Sequence, residues 1–372
     1  MVIRNLSFGI HELAGSVGDF GTILPLVLAV SAVAGLSLGY ILLFFGLWFI
    51  ITGFYYRLPV PIEPMKVIAV VAIAENMSAG QIAAAGLILG LLFFALGYGK
   101  WLDVLEKYIP RSVIRGIQLG LALLLLKTSV GFMTGDLLVF GLALALMAGI
   151  YATARVTGIP DLSAIILIAV AFGTGVVLHG FPAMALLPLP EVVFPSLADI
   201  PVAMSTLVVP QALLTITNAI LATSLLTRDL FGQEIRPARL SRTIGLMNLT
   251  SIPFGGFPMC HGAGGMAGEY RFGARTGGAN IYAGIFFLFL AFLFASPDVL
   301  GLISEGFYGA LLVFVALELG RHGIKTDQYL VTGVIAVLSL LTNMTLAFAV
   351  GICIAYGIQY LNRRRGKKIL LM

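Results

Sequence analysis

Fourteen apolar stretches follow one another through this chain, with only short connections between most of them. They fall at 16–34, 36–55, 64–75, 79–98, 110–131, 135–155, 162–180, 205–227, 241–255, 258–270, 277–297, 299–319, 326–343 and 345–361. Crossing the hydrocarbon core of a bilayer takes about 20 residues of helix. Inside that core every backbone polar group has to be bonded within the protein, so only helices and closed barrels span it. The length of the runs selects helices. Composition agrees, at 59% hydrophobic and 10% charged, where a soluble domain carries about 25% charged residues. The expected fold class is an all-α polytopic membrane protein with 14 transmembrane segments. Segments 3 and 10 are too short to span and begin at proline-rich breaks, so they read as half-helices.

Charge placement tests the count. With the N-terminus in the cytoplasm, the connections on that side carry Arg57; Lys100, Lys107 and Arg111; Arg155; Arg228, Arg236, Arg239 and Arg242; Arg271 and Arg275; Arg321 and Lys325; and the basic tail. The opposite connections carry Glu75, Asp136, Glu191, Asp199 and Asp298. Only Lys66 and Lys127 depart from this pattern, which is the positive-inside rule. The expectation is an integral protein of the plasma membrane with both termini cytoplasmic. The net charge of +5 therefore reports topology and implies no nucleic-acid partner. The mixed stretch 101–108 reads as an interfacial helix on the cytoplasmic face.

The two short segments are related. The chain reads PVPIEPMK from Pro59 and PFGGFPMC from Pro253, and Pro59, Pro64 and Met65 match Pro253, Pro258 and Met259 at one offset of 194. Half of 372 is 186, so the offset is near half the chain. A half with an odd number of spans inserts opposite to its copy, which gives a 7+7 inverted repeat. The boundaries are 1–180 for the first repeat, 181–204 for an extracytoplasmic connection rich in proline, 205–361 for the second repeat and 362–372 for the basic tail.

The break at Pro253–Arg275 contains seven glycines. Irregular backbone at membrane depth survives where it is buried in protein or lines a cavity, and in transporters paired breaks mark the substrate site. A helix N-terminus offers unpaired N–H groups and a partial positive charge, so two facing half-helices make an anion site. The candidate ligand residues are Met65 and Lys66 at the first break. At the second they are Gly255, Gly256, Pro258, Met259, Cys260, His261 and Gly262. Pro64 and Pro258 suit a first helical turn. Gln211 and Asn218, with Thr215, share a helical face on segment 8 and can offer neutral donors, as can Ser16 and Thr22 on segment 1. Charged groups at membrane depth are expensive and so point to function. Asp19, Glu63 and Glu269 are the coupling candidates. Lys66 can neutralise Asp19 or Glu63 or help hold an anion, and Glu269 is expected to pair with Arg271. One histidine beside one cysteine does not make a metal site, two cysteines make no disulfide framework, and no catalytic constellation appears. Neither a cofactor nor an enzymatic activity is expected.

The stretches HELAGSVGDFGTILPLVLA from His11, PVPIEPMKVIAVVA from Pro59 and PFGGFPMCHGAGGMAGEYRFGARTG from Pro253 resemble the molybdate transporter family, distant relatives of the sulfate permeases. The resemblance covers about residues 9 to 361. It implies the seven-plus-seven fold shared with sulfate and uracil permeases, in which a core of segments 1–4 and 8–11 moves against a gate of segments 5–7 and 12–14. The substrate then lies between segments 3 and 10, and it is a tetrahedral oxyanion, molybdate first. Sulfate-permease relatives often carry a regulatory domain after the last helix, and none is expected here. The family pattern has an uncharged glutamine where this chain has Glu63.

The resulting expectation is a secondary transporter of molybdate working by elevator-type alternating access, with protons as a candidate coupling ion. Sulfate is the rival oxyanion, since charge is shared and size differs. A nucleobase permease is the rival on the same fold, with Glu63 bonding the base. An anion channel is the rival of another class. Lipid is the surrounding partner, and oligomeric state is open, a homodimer included.

Overall fold

A computed structural model describes residues 5–99, 102, 110–159, 161–181, 187, 189–190, 194–296 and 298–364. The expected interfacial helix at 101–108 falls almost wholly outside the described residues, as do the tail beyond 364 and much of the 181–204 connection.

All fourteen segments are helical, with boundaries that differ from expectation in informative places. Segment 1 starts earlier and is two helices, Ile10–Ser16 and Phe20–Ala34, separated at Val17–Asp19. Segment 2 is Leu38–Tyr56, segment 4 Ala79–Leu96, segment 5 Arg111–Gly135, segment 6 Leu137–Thr157 and segment 7 Ser163–His179. Segment 8 runs through Asp199–Phe231 and contains two π-helical stretches, Met204–Val208 and Thr215–Ala222. Segment 9 is Pro237–Ser251, with proline in its first turn, followed by a single 3-10 turn. Segment 11 is Gly278–Leu293, segment 12 Glu305–Gly323, segment 13 Tyr329–Leu341 and segment 14 Met344–Arg364. Among the described residues, seven helices are long and apolar enough to cross a bilayer unaided. The others are shortened by the breaks and by unwound ends.

Segments 3 and 10 are half-helices of equal length, Lys66–Glu75 and Ala263–Phe272, ten residues each. Their prolines are not in the first helical turn, which corrects the expectation. The backbone around them is extended. Strand β1, Glu63–Pro64, pairs antiparallel with β2, Met259–Cys260, with Glu63 opposite Cys260 and Pro64 opposite Met259. Proline pushes its predecessor into extended backbone, and the Met65 N–H donates to the Pro258 carbonyl at 2.9 Å. The helix starts lie 197 residues apart, Lys66 to Ala263, so three residues beyond the matched Pro-Met pairs lengthen the second break.

Packing follows the inverted repeat. Segment 2 lies on segment 11 and segment 4 on segment 9, two contacts that exchange under a shift of seven segments. Segment 5 lies on segment 12, its own counterpart. Segments 1–4 with 8–11 form one packed body, and segments 5–7 with 12–14 a second beside it. Segments 1, 3 and 8 meet the second body, at segments 5, 7, 12 and 14.

Candidate functional site

The two half-helices point their N-termini at the two-stranded crossing. At the first, the Val67 N–H donates to Gln211 Oε1 at 2.8 Å, while Gln211 Nε2 donates to Thr215 Oγ1 at 2.8 Å. At the second, the Gly265 N–H donates to Glu63 Oε1 at 3.0 Å. The other carboxylate oxygen, Glu63 Oε2, accepts from Lys66 Nζ at 2.6 Å, the one salt bridge among the described residues. Each helix end thus presents the free N–H groups that a helix must leave unpaired, and each holds an oxygen atom of the protein. At both ends the acceptor oxygen is supplied from within the protein.

Glycine is required where the carboxylates close in. A side chain at Gly262 would fall on the Glu63 carboxylate, and one at Gly265 on the Asp19 and Glu63 carboxylates. A side chain at Gly264 would meet nothing within 4 Å, so the space before this helix end is open on that side. Gly255, by contrast, serves the turn after segment 9, with φ +83°. Its neighbour Gly256 donates its N–H to the Ser251 carbonyl at 2.9 Å.

Side chains from distant segments hold both breaks in place. Asn248 on segment 9 accepts the Met259 N–H at 2.9 Å and donates to the Met259 carbonyl at 2.7 Å, replacing a strand partner. Asn280 on segment 11 donates to the Val60 carbonyl at 2.5 Å and to Thr52 Oγ1 at 3.2 Å. His261 is fully buried and bonded at both ring nitrogens. Nδ1 lies 3.0 Å from the Pro61 carbonyl and Nε2 2.8 Å from Thr243 Oγ1, which in turn meets the Tyr56 hydroxyl at 2.6 Å. A carbonyl only accepts, so Nδ1 carries the proton. His261 therefore ties the two breaks together, and both its nitrogens are engaged by protein. Met65, Met259 and Cys260 are buried in the crossing, and the backbone N–H groups of Met65 and Met259 are already taken by Pro258 and Asn248. Pro258 contributes its carbonyl to Met65. Asn218 sits half-buried within the π-helical stretch beyond the Gln211–Thr215 pair.

Three carboxylates, Glu63, Asp19 and Glu318, share the single ammonium of Lys66. Glu63 is bonded to it. Asp19 and Glu318 interact electrostatically with it, and Glu269 with Glu63 and Glu12. Asp19 Oδ2 and both oxygens of Glu269 are buried without a hydrogen-bond partner. The expected Glu269–Arg271 pair is not formed. Residues two apart on a helix face opposite ways, and Glu269 is buried while Arg271 is exposed. Glu318 on segment 12 was not picked out in the sequence, and it accepts from Thr22 Oγ1 at 2.9 Å. An acid inside an apolar segment, four residues from Phe314, is the signal that marks it. Asn248 and Asn280 carry the same kind of signal, polar groups inside membrane-depth helices. Among the described residues no His, Cys, Asp and Glu cluster suits a metal ion.

Lys127, the second basic exception, stands elsewhere. It lines a cavity of 570 Å³ with Glu75, Asn76, Thr128 and Glu305, at the ends of segments 3, 5 and 12 opposite the basic termini. The carboxylate–ammonium chemistry and the paired helix ends lie at the crossing, which is the better candidate site.

Comparison with known proteins bears on what this crossing holds. The profile of a family described as "Molybdate transporter of MFS superfamily" matches residues 11–125 and 203–319. Molybdate transporter 2 of Arabidopsis thaliana is 31% identical over 92% of this chain and 85% of its own length. Molybdate transporter 1 of the same plant is 32% identical over 91% of this chain and 86% of its own length. Among solved structures, SLC26A9 superposes with a TM-score of 0.71 at 13% identity, covering 95% of this chain and 65% of that one. The transmembrane domain of the cyanobacterial bicarbonate transporter BicA gives 0.61 at 16% identity, covering 92% and 95%. These likenesses establish the seven-plus-seven inverted-repeat fold, whatever superfamily the family's descriptive title carries. With that profile spanning most of both repeats and relatives 31% and 32% identical along most of their length, this chain belongs to the molybdate transporter family.

Proposed function

We propose that this protein carries molybdate across the plasma membrane as a secondary transporter, with both termini in the cytoplasm. The observation that supports it most is the pair of half-helix ends whose N–H groups already hold Gln211 Oε1 and Glu63 Oε1. An oxyanion presents the same kind of oxygen. On this reading it displaces the Glu63 carboxylate from Gly265 and takes up Lys66, so that backbone N–H groups and one ammonium replace its hydration shell. A charged acceptor already in the site opposes an anion. This competition supports proton-coupled uptake, in which a proton taken up at the site offsets part of its negative charge. The division into two packed bodies supports the elevator mode, with segments 1–4 and 8–11 carrying the site along segments 5, 7, 12 and 14.

The test is calorimetric titration of the purified protein with molybdate, sulfate and uracil at several pH values, followed by uptake into liposomes. Molybdate binding that takes up protons from the buffer supports the reading. Binding of uracil with neither anion would overturn it.

A further inference from the structure

Glu318 stands apart from the other acids of the site because it belongs to the other body. Asp19 is on segment 1, Glu63 precedes segment 3 and Glu269 is on segment 10, all within the body that holds the half-helices. Glu318 is on segment 12. The bond from Thr22 Oγ1 to Glu318 Oε2, 2.9 Å long, therefore crosses the seam between the two bodies. Beside it, a side chain at Gly21 would meet Phe314 of segment 12 and Ala164 of segment 7 at ordinary van der Waals spacing. Glu318 is within electrostatic reach of Lys66 and Glu63 across the seam, of Asp19 on segment 1, and of Arg321 on its own helix. Arg321 itself lies over the Tyr151 ring of segment 6, 4.8 Å from its centre. From segment 5, which packs along segment 12, Arg115 bonds Gln118 at 2.9 Å.

We propose that Glu318 is a coupling residue: it reads the charge of the half-helix site across the seam, and its carboxylate takes a proton from water when the anion is loaded and returns it on release. The inference rests on the oxyanion-carrier reading above. Its reason is thermodynamic. Only a group whose interaction with the site differs between two positions of the site can bias the equilibrium between them. Asp19, Glu63 and Glu269 travel with the site, so their interaction with it is carried along. Glu318 stays behind. Moving segments 1 and 3 along segment 12 breaks the Thr22 bond and changes the distance from Glu318 to Lys66. With a dianion at Lys66, an ionised Glu318 repels the load, and a protonated one does not.

The experiment compares wild type, Glu318→Gln, Glu318→Asp and Thr22→Val in liposomes, measuring molybdate uptake against external pH, with molybdate Kd from calorimetry alongside. Glu318→Gln is expected to bind molybdate at least as tightly as wild type, because the repulsion from an ionised Glu318 is gone, and to lose the pH dependence of uptake. Glu318→Asp is expected to retain it. Thr22→Val removes a donor to the ionised carboxylate, which favours the protonated form, and is expected to move the profile toward higher pH. A wild-type pH profile in both Glu318→Gln and Thr22→Val would overturn the inference. Should Glu318→Gln not assemble, Thr22→Val decides alone, an unmoved profile sinking the proposal. Wild-type protein that neither binds nor carries molybdate would instead overturn the transporter reading beneath it.

Discussion

Glu63 and Gly265 belong to opposite halves of the chain, 202 positions apart, and the carboxylate of one accepts the backbone N–H of the other at 3.0 Å. The contact joins the two repeats at the end of a helix, where an anion is favoured by the helix dipole. In this arrangement the protein supplies that anion itself.

Removing the charge should therefore help an external anion. In Glu63→Gln the amide can still accept from Gly265, while the repulsion of a dianion is gone. Molybdate is expected to bind tighter by about 1–2 kcal/mol, roughly tenfold. Isothermal titration calorimetry measures it. Loss of binding would favour a role for the carboxylate as a direct ligand, as a nucleobase carrier would need.

Gln211→Glu is the complementary change. It puts a second carboxylate at the Val67 N–H, on the first half-helix. The helix end itself tolerates the charge, worth about 0.3–1 kcal/mol in its favour, so thermal stability should hold. Molybdate affinity is expected to fall by at least roughly tenfold. Retained affinity with retained stability would remove the first half-helix from the binding site.

Gly262→Ala tests the close approach of the acid. The new methyl falls on the Glu63 carboxylate, and overpacking of this kind costs about 1–3 kcal/mol. A lower Tm in detergent is expected, with uptake reduced. Combining it with Glu63→Ala vacates the volume and should recover the Tm. No recovery would place the clash elsewhere.

Asn248→Ala removes the donor and acceptor that serve Met259. It leaves a buried N–H and a buried carbonyl without those bonds, at about 1–3 kcal/mol for each unsatisfied group. The Tm should fall and molybdate binding weaken, because β2 and the segment 10 helix end lose their anchor. Asn280→Ala, acting on Val60 at the other break, should do the same to segment 3. Wild-type Tm in both variants would show that the breaks hold their shape without these side chains.

The architecture was readable from the chain because a bilayer leaves it few choices. Apolar length fixed the helices, and the prolines and glycines at 59–64 and 253–265 marked where two of them stop short. The matched Pro-Met pairs revealed the repeat. These are local properties, set by residues a few positions apart and by the absence of water to bond an unpaired backbone. The i,i+3 pair of Glu63 and Lys66 was open to the same reasoning, as one of two partners for the lysine.

The partners of the site were decided by tertiary packing. Glu63 meets Gly265, Gln211 caps Val67, Asn248 stands in for a strand beside Met259, His261 bridges to Pro61, and Thr22 reaches Glu318. Each pair spans from 11 to 296 positions. Polar side chains at membrane depth must find a partner within the protein, but any of several segments could supply it. Which one does depends on how the two repeats cross. Glu269 shows the converse, since a neighbour two residues away in sequence lies on the far side of its helix. Spacing told which groups needed partners, and only the crossing of the inverted halves determined which ones they found.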